Sequence, residues 1–110
     1  MDARERRLVE NEAVFREVNE HIKEAAGAAS AREPHVYEFL CECSNSDCTI
    51  LLELSLVEYE HVRRDPTRFV VAPGHDLPEI EDVIFRSNRY QMVRKRGAAA
   101  AIAEDRDPRA

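Results

Sequence analysis

The strongest constraint on this sequence is a cluster of three cysteines within eight residues, Cys41, Cys43 and Cys48 in the segment CECSNSDC. Further along the chain, a Pro-Gly-His turn at 73–75 supplies an imidazole. Thiolates and imidazoles are the ligands that zinc prefers, and a structural zinc site arranges four of them as a tetrahedron. The sequence therefore predicts one metal site, with Cys41, Cys43, Cys48 and His75 as its ligands.

The spacing of the cysteines suits a single ion. Residues two apart on a strand project the same way, so Cys41 and Cys43 can share a metal while Glu42 points away. The polar segment 44–47 has turn composition and can bring Cys48 back to the same ion. His75 is the best fourth ligand because a Pro-Gly turn exposes its imidazole at a strand end; the alternative is that it is only a polar turn residue. The other histidines are expected on the surface: His21, His35 and His61.

Zinc is the expected metal, and an iron–sulfur cluster is the less favoured alternative because thiolate-rich ligation suits both. The ligand set partly resembles the CDGSH-type iron–sulfur proteins, which also combine three cysteines with one histidine. In that family the histidine comes just after the third cysteine, whereas here His75 follows Cys48 by 27 positions.

Length and composition favour one small domain that needs the metal. The chain has 110 residues, no Trp, three Tyr and four Phe, so its apolar core is modest and a metal staple would add to it. The charged opening MDARERRLVENE predicts no signal peptide, and no apolar run approaches membrane-spanning length. We therefore expect a cytoplasmic protein, whose thiols stay reduced and bind metal rather than form disulfides.

The N-terminal segment 1–26 is predicted as an amphipathic helix. Apolar residues recur at spacings of three and four, with Asn11 at the remaining position of the same stripe. The stripe consists of Leu8, Phe15, Val18, Ile22 and Ala25. Two interpretations remain open: the helix packs on its own domain, or helix 2–26 forms a short coiled-coil seam that makes a homodimer. Glu12 and Arg16 are expected to pair on a polar face.

The segment 35–97 is predicted as the metal-binding domain, preceded by a small-residue linker at 27–34. Alternation predicts a hairpin of strands 36–41 and 49–54, a third strand at 68–72, and a second hairpin of 83–86 with 90–94. A capping box of Ser55 and Glu58 opens a helix between them. The segment 98–110 should hold a short helix on its alanine run and a frayed tail. The predicted fold class is α+β: a small zinc-stapled antiparallel sheet with an N-terminal helix, one crossing helix and a short C-terminal helix.

The motifs of enzymes are not found in this sequence. It has no Gly-rich phosphate loop and no nucleophile elbow, and its cysteines do not follow the order of zinc deaminases. The net charge of −6 opposes nucleic-acid binding, although a basic run spans 86–96. We therefore expect a non-catalytic, zinc-stabilised regulatory or adaptor protein whose partner is another protein. The alternatives are a nucleic-acid-binding regulator that uses the hairpin 86–96, and a zinc–thiolate redox switch.

Nearly the whole chain resembles a family of small actinobacterial proteins of zinc-binding type, which has no established activity. The resembling segments are RERRLVENEAVFREVNEHI, FLCECSNSDC, LSLVEYEHVRRDPTRFVVAPGH and the closing basic hairpin with its alanine-rich tail. The resemblance implies a self-contained domain in which the cysteines and the Pro-Gly-His turn belong together. It implies no substrate, partner or reaction.

Overall fold

The computed structural model describes residues 2–29 and 35–109. In chain order, the elements are α1 (Ala3–Ala29), β1 (Val36–Leu40), β2 (Leu51–Ser55), α2 (Leu56–Arg63), β3 (Arg68–Val71), β4 (Glu81–Arg86), β5 (Gln91–Lys95) and α3 (Gly97–Asp105). The predicted α+β class is confirmed. The N-terminal helix continues to Ala29, into the predicted linker, and residues 30–34 of that linker lie outside the described part.

The strands form two small antiparallel sheets rather than one. The hairpin β1–β2 is one sheet, with Phe39 opposite Leu52, and the other sheet has the strand order β3–β5–β4. The chain changes partners within the cysteine segment, where the N–H of Cys41 still donates to the carbonyl of Ile50 (3.1 Å) beside β2. The backbone N–H of Glu42 then donates to the carbonyl of Val70 on β3 (2.8 Å). The cysteine segment therefore lies between the two sheets.

The core fills the space between these sheets and α2. Phe39 and Tyr59 stack with ring centroids 4.4 Å apart, and Phe69, Val62 and Leu54 are fully buried around them. The predicted capping box opens α2: the side chain of Ser55 accepts from the N–H of Glu58, and the Glu58 carboxylate accepts from the N–H of Ser55. This box orients α2 so that Tyr59 and Val62 enter the core.

The helix α1 packs on its own domain, but only part of the predicted apolar stripe faces the core, where Ile22 is partly buried. Val18, in the middle of the predicted apolar stripe, is 40 % exposed, and Phe15 is only half-buried. The buried face lies further around the helix and is largely polar: Val9, Glu12, Ala13, Arg16, Asn19, Glu20 and Ala26. Glu12 and Arg16 are not paired with each other, because each finds partners elsewhere in the domain. Dimerisation through this helix stays a prediction.

Two carboxylates and one ammonium group form a buried cluster where α1 meets β4 and β5. Lys95 donates to both Glu12 and Glu81, and all three side chains are almost completely buried. Burial raises the pKa of Glu12 to about 8; the negative charge of Glu81 adds to the rise, and Lys95 opposes it. One oxygen of Glu12, Oε1, has no hydrogen-bond partner among the described residues. When both carboxylates are ionised, the three side chains therefore carry a net negative charge.

Polar contacts also attach the C-terminal tail, so the expectation of a frayed tail is wrong for its described part. Arg109 pairs with Glu20 of α1 and with Glu60 of α2. Asp107 pairs with the fully buried guanidinium of Arg63. Residues 106–109 thus lie against both helices, while Ala110 is outside the described range.

None of the described helices is long and apolar enough to cross a membrane.

Candidate metal centre

Four side chains from two separate segments meet between the sheets. Cys41, Cys43 and Cys48 follow β1, and His75 lies in the turn after β3. Their ligand atoms all lie within 4.8 Å of one another. The structure thus brings together the four residues that the sequence singles out, and this cluster is able to hold a metal ion.

The cysteine loop folds back through its own polar residues. The side chain of Asn45 accepts from the N–H of Asp47 (2.9 Å), and its carbonyl accepts from the N–H of Cys48 (3.0 Å). These bonds close the turn that the composition of 44–47 predicts, and they return Cys48 towards Cys41 and Cys43. The first two cysteines are buried and the third is half-buried.

The Pro-Gly-His turn places an imidazole nitrogen directly against two of the sulfurs. Gly74 adopts a left-handed conformation (φ 84°), and the N–H of His75 donates to the carbonyl of Ala72 (3.0 Å). A side chain at residue 74 would be strained there, so glycine makes the tight turn accessible. His75 Nδ1 lies 3.7 Å from Cys41 Sγ and 3.8 Å from Cys48 Sγ.

These two sulfur–nitrogen separations can be compared with the edge of a tetrahedral site for a single ion, taking zinc bond lengths as the example. Bonds of about 2.3 Å to sulfur and about 2.0–2.1 Å to nitrogen, at tetrahedral angles, place a sulfur and a nitrogen ligand about 3.6 Å apart. The observed distances of 3.7 and 3.8 Å are close to that value. Two of the six ligand pairs thus lie at separations that one tetrahedral metal ion allows, and the other pairs lie within 4.8 Å.

The electrostatics of the cluster favour a bound cation. Burial raises the pKa of the Cys41 thiol far above its usual range, and the neighbouring sulfurs of Cys43 and Cys48 add to the rise. The N–H of Ala72, which donates to Cys41 Sγ (3.1 Å), acts in the opposite direction because it stabilises a thiolate. One such bond offsets little of the charge of three thiolates, whereas a divalent cation offsets most of it.

The structure also locates the residues that the sequence places outside the site. Glu42 points away from the sulfurs as predicted, but into the core rather than to solvent, where its carboxylate accepts from Asn19 and from the N–H of Val70. His21, His35 and His61 are exposed and do not belong to the cluster.

Sequence reasoning missed two asparagines of α1 that contact the cysteine segment. Asn11 donates to the carbonyl of Ser44 (3.3 Å), and Asn19 bonds both backbone groups of Leu40. Asparagine is unfavourable in the middle of a helix because its amide competes for backbone groups. Two interior asparagines in α1 were therefore the available signal that this helix supplies polar contacts to another segment.

No protein-family model, curated protein sequence or solved structure matches this chain. The fold and the site define its class: a small α+β protein with a Cys3His cluster able to hold a metal ion, positioned between two small sheets. No family is identified, and the resemblance to small actinobacterial proteins stays a prediction.

Proposed function

We propose that this protein is a non-catalytic regulatory or adaptor protein that binds one structural zinc ion and acts through protein–protein interaction. The observation that carries the proposal is the convergence of Cys41, Cys43, Cys48 and His75, whose ligand atoms all lie within 4.8 Å of one another, with His75 Nδ1 3.7 and 3.8 Å from two of the sulfurs. Ligands of this type and number are characteristic of closed structural zinc sites.

A single ion fits the cluster better than an iron–sulfur cluster. Two ligands bound to one ion at about 2.3 Å each can be at most about 4.6 Å apart. The four ligand atoms lie within 4.8 Å of one another, just above this limit, so one ion requires only a small adjustment of the side chains, whereas a centre of two or more metal atoms requires ligands further apart. Zinc is also the metal that most often takes a tetrahedral set of three thiolates and an imidazole.

The arrangement argues against catalysis and against a redox switch. Four protein ligands leave no open position for water or substrate. The nearest glutamate in sequence, Glu42, is turned away and engaged by Asn19 and Val70, so it is not available as a general base at the metal. Cys41 and Cys43 are buried, which protects their sulfurs from oxidants.

An interaction role is supported by the outer face of the β1–β2 hairpin. Val36 and Leu51 lie on the face opposite the core and are 41 % and 49 % exposed. Between them, Glu38 and Glu53 are directly opposite each other on the same face and exposed. Apolar side chains beside two exposed carboxylates are a suitable contact surface for a partner that carries basic and apolar side chains.

The purified protein should contain about one zinc per chain when it is expressed without added metal. The four ligands are preorganised, so the protein should acquire zinc from the cell and retain it through purification. Metal analysis by mass spectrometry, together with the absorption spectrum, checks this. Cys43→Ser is the control and should carry much less zinc. A brown protein that contains iron and sulfide, or a colourless one without zinc, would contradict the proposal.

The alternative of nucleic-acid binding is weakened by the contacts of the basic hairpin. Among the five cations of segment 86–96, Lys95 is buried in the cluster with Glu12 and Glu81. Arg89 pairs with Glu58, and Arg96 pairs with Asp82. Within the described ranges, only Arg86 and Arg94 of this segment make no ion pair. Two such cations are few for a surface that must follow phosphates.

We therefore expect no measurable binding to mixed-sequence duplex or single-stranded DNA near physiological salt. A phosphate-contacting protein loses affinity steeply as salt rises, because binding releases counterions. Fluorescence anisotropy over a salt series checks this, with an Arg86→Ala, Arg94→Ala double variant as the control. Micromolar or tighter binding that weakens with salt and is lost in that variant would favour the nucleic-acid regulator instead.

A further inference from the structure

Two fully buried polar side chains, Asn19 and Glu42, connect α1 to the segment that carries the sulfur ligands. Both have no exposed surface, and Asn19 Nδ2 donates to Glu42 Oε2 (2.8 Å). Glu42 is the residue between Cys41 and Cys43. A displacement of its backbone would therefore move both sulfurs.

Asn19 fixes the chain just before the first sulfur. Its Oδ1 accepts from the N–H of Leu40 (2.7 Å), and its Nδ2 donates to the carbonyl of the same residue (2.9 Å). The amide thus occupies the free edge of β1 in the way that a neighbouring strand would. Because Leu40 has one donor and one acceptor, only one orientation of the amide satisfies both, and that orientation directs Nδ2 also to Glu42.

Glu42 fixes the segment between the two sulfurs from the other side. Its N–H donates to the carbonyl of Val70 (2.8 Å), and its Oε1 accepts from the N–H of Val70 (3.0 Å). Two residues further along, the N–H of Ala72 donates to Cys41 Sγ (3.1 Å), and the carbonyl of Ala72 accepts from the N–H of His75. The Cys-Glu-Cys segment and the histidine turn are thereby held against one stretch of chain.

We propose that Asn19 and Glu42 are positioning residues of the metal centre. They act through the backbone, holding Cys41 and Cys43 in the orientation that a tetrahedral ion requires, and they make α1 part of the support of the site. This inference rests on the proposed zinc site. Outer hydrogen-bonding partners of metal ligands commonly contribute about 10–100-fold to metal affinity.

Asn19→Ala and Glu42→Gln test the inference. In Glu42→Gln the new amide faces two donors, Asn19 Nδ2 and the N–H of Val70, but has one acceptor oxygen, so one hydrogen bond is lost in a side chain of the same shape. Zinc affinity, measured by competition with a chromophoric chelator, should fall about 10-fold in each variant, the lower end of the range for direct partners of metal ligands, because Asn19 and Glu42 act through the backbone. Glu42→Gln keeps the test decisive if Asn19→Ala does not fold.

Val9→Ala is the matched control, because it removes packing from α1 at a different cluster, formed with Ile80, Ala99 and Ile102. Comparing its loss of thermal stability with its zinc affinity shows how much affinity is lost when the protein is destabilised away from the metal centre. The ligand-field spectrum of the cobalt-substituted protein is the second readout: it should shift in Asn19→Ala and Glu42→Gln and stay unchanged in Val9→Ala. Variants with the affinity of that control and an unshifted spectrum would overturn the inference and leave the zinc site intact. If the unmodified chain itself binds no zinc, the proposed function fails.

Discussion

Removal of the metal is expected to abolish most of the cooperative thermal transition of this protein. Structural zinc provides roughly 10–16 kcal/mol in zinc-finger peptides, and the whole net stability of a typical domain is about 5–15 kcal/mol. Here the four candidate ligands come from the segment after β1 and from the turn after β3, so a metal ion bound by them would connect the two sheets. Circular dichroism melts with and without a strong chelator measure the effect.

Variants that lack one ligand should lose part or all of the same thermal stability. Cys43→Ser should behave like the chelated protein, because it removes a buried sulfur from the cluster. His75→Ala should be milder, since water can occupy the vacated position on zinc. A chelated protein that melts at an unchanged temperature would show that the core is sufficient without metal.

The second large effect is expected from Lys95→Met, which should lower the free energy of unfolding by about 3–5 kcal/mol. The substitution keeps the size of the side chain but removes the ammonium group that contacts both Glu12 and Glu81. Because the pKa of Glu12 is about 8, Glu12 is already largely protonated at neutral pH, and the substitution leaves the buried carboxylate of Glu81 without its cation. Urea denaturation of the zinc-bound protein measures the loss. An unchanged midpoint would contradict a role of this cluster in stability.

Glu12→Gln is the matched variant, and it should raise the free energy of unfolding where Lys95→Met lowers it. The folded protein holds the pKa of Glu12 at about 8 against 4.5 for a free glutamate. Between these values the folded state binds a proton that the unfolded state has released, so the contribution of Glu12 falls as the pH rises from about 4.5 to about 8. Glutamine cannot ionise, so the variant should gain stability relative to the parent protein across this window. Metal release at low pH affects both proteins and largely cancels in the comparison. Parallel pH profiles would contradict the raised pKa.

The local structure of this protein was largely predictable from neighbouring residues. The alternation in 36–41 and 49–54 predicts the β1–β2 hairpin, and Ser55 with Glu58 predicts the start of α2, as observed. In these cases residues close in sequence determine the backbone, either by pleating or by capping. The Cys3His cluster was predictable for a different reason: three reduced cysteines in a polar turn have few roles other than binding a metal.

The face of α1 was not predictable, because its buried side chains are stabilised by residues far along the chain. Arg16 is buried because it donates to the carbonyls of Pro66 and Ala103, and Glu12 is buried because Lys95 lies opposite. Hydropathy assigns such residues to the surface. The hydrogen bonds between α1 and the cysteine segment were missed for the same reason, since Asn19 contacts Glu42 only after the helix has packed on that segment.

The division of the ligands between two segments also sets an order of events during synthesis. Three sulfurs emerge within eight residues, while the imidazole follows Cys48 by 27 positions. At about 5–20 residues per second, the nascent chain carries its thiols for roughly one to five seconds before His75 is made. During that interval His75 cannot serve as the fourth ligand. The imidazole is then the last ligand to arrive, and with it the ion comes to link β3 to the part of the chain already made.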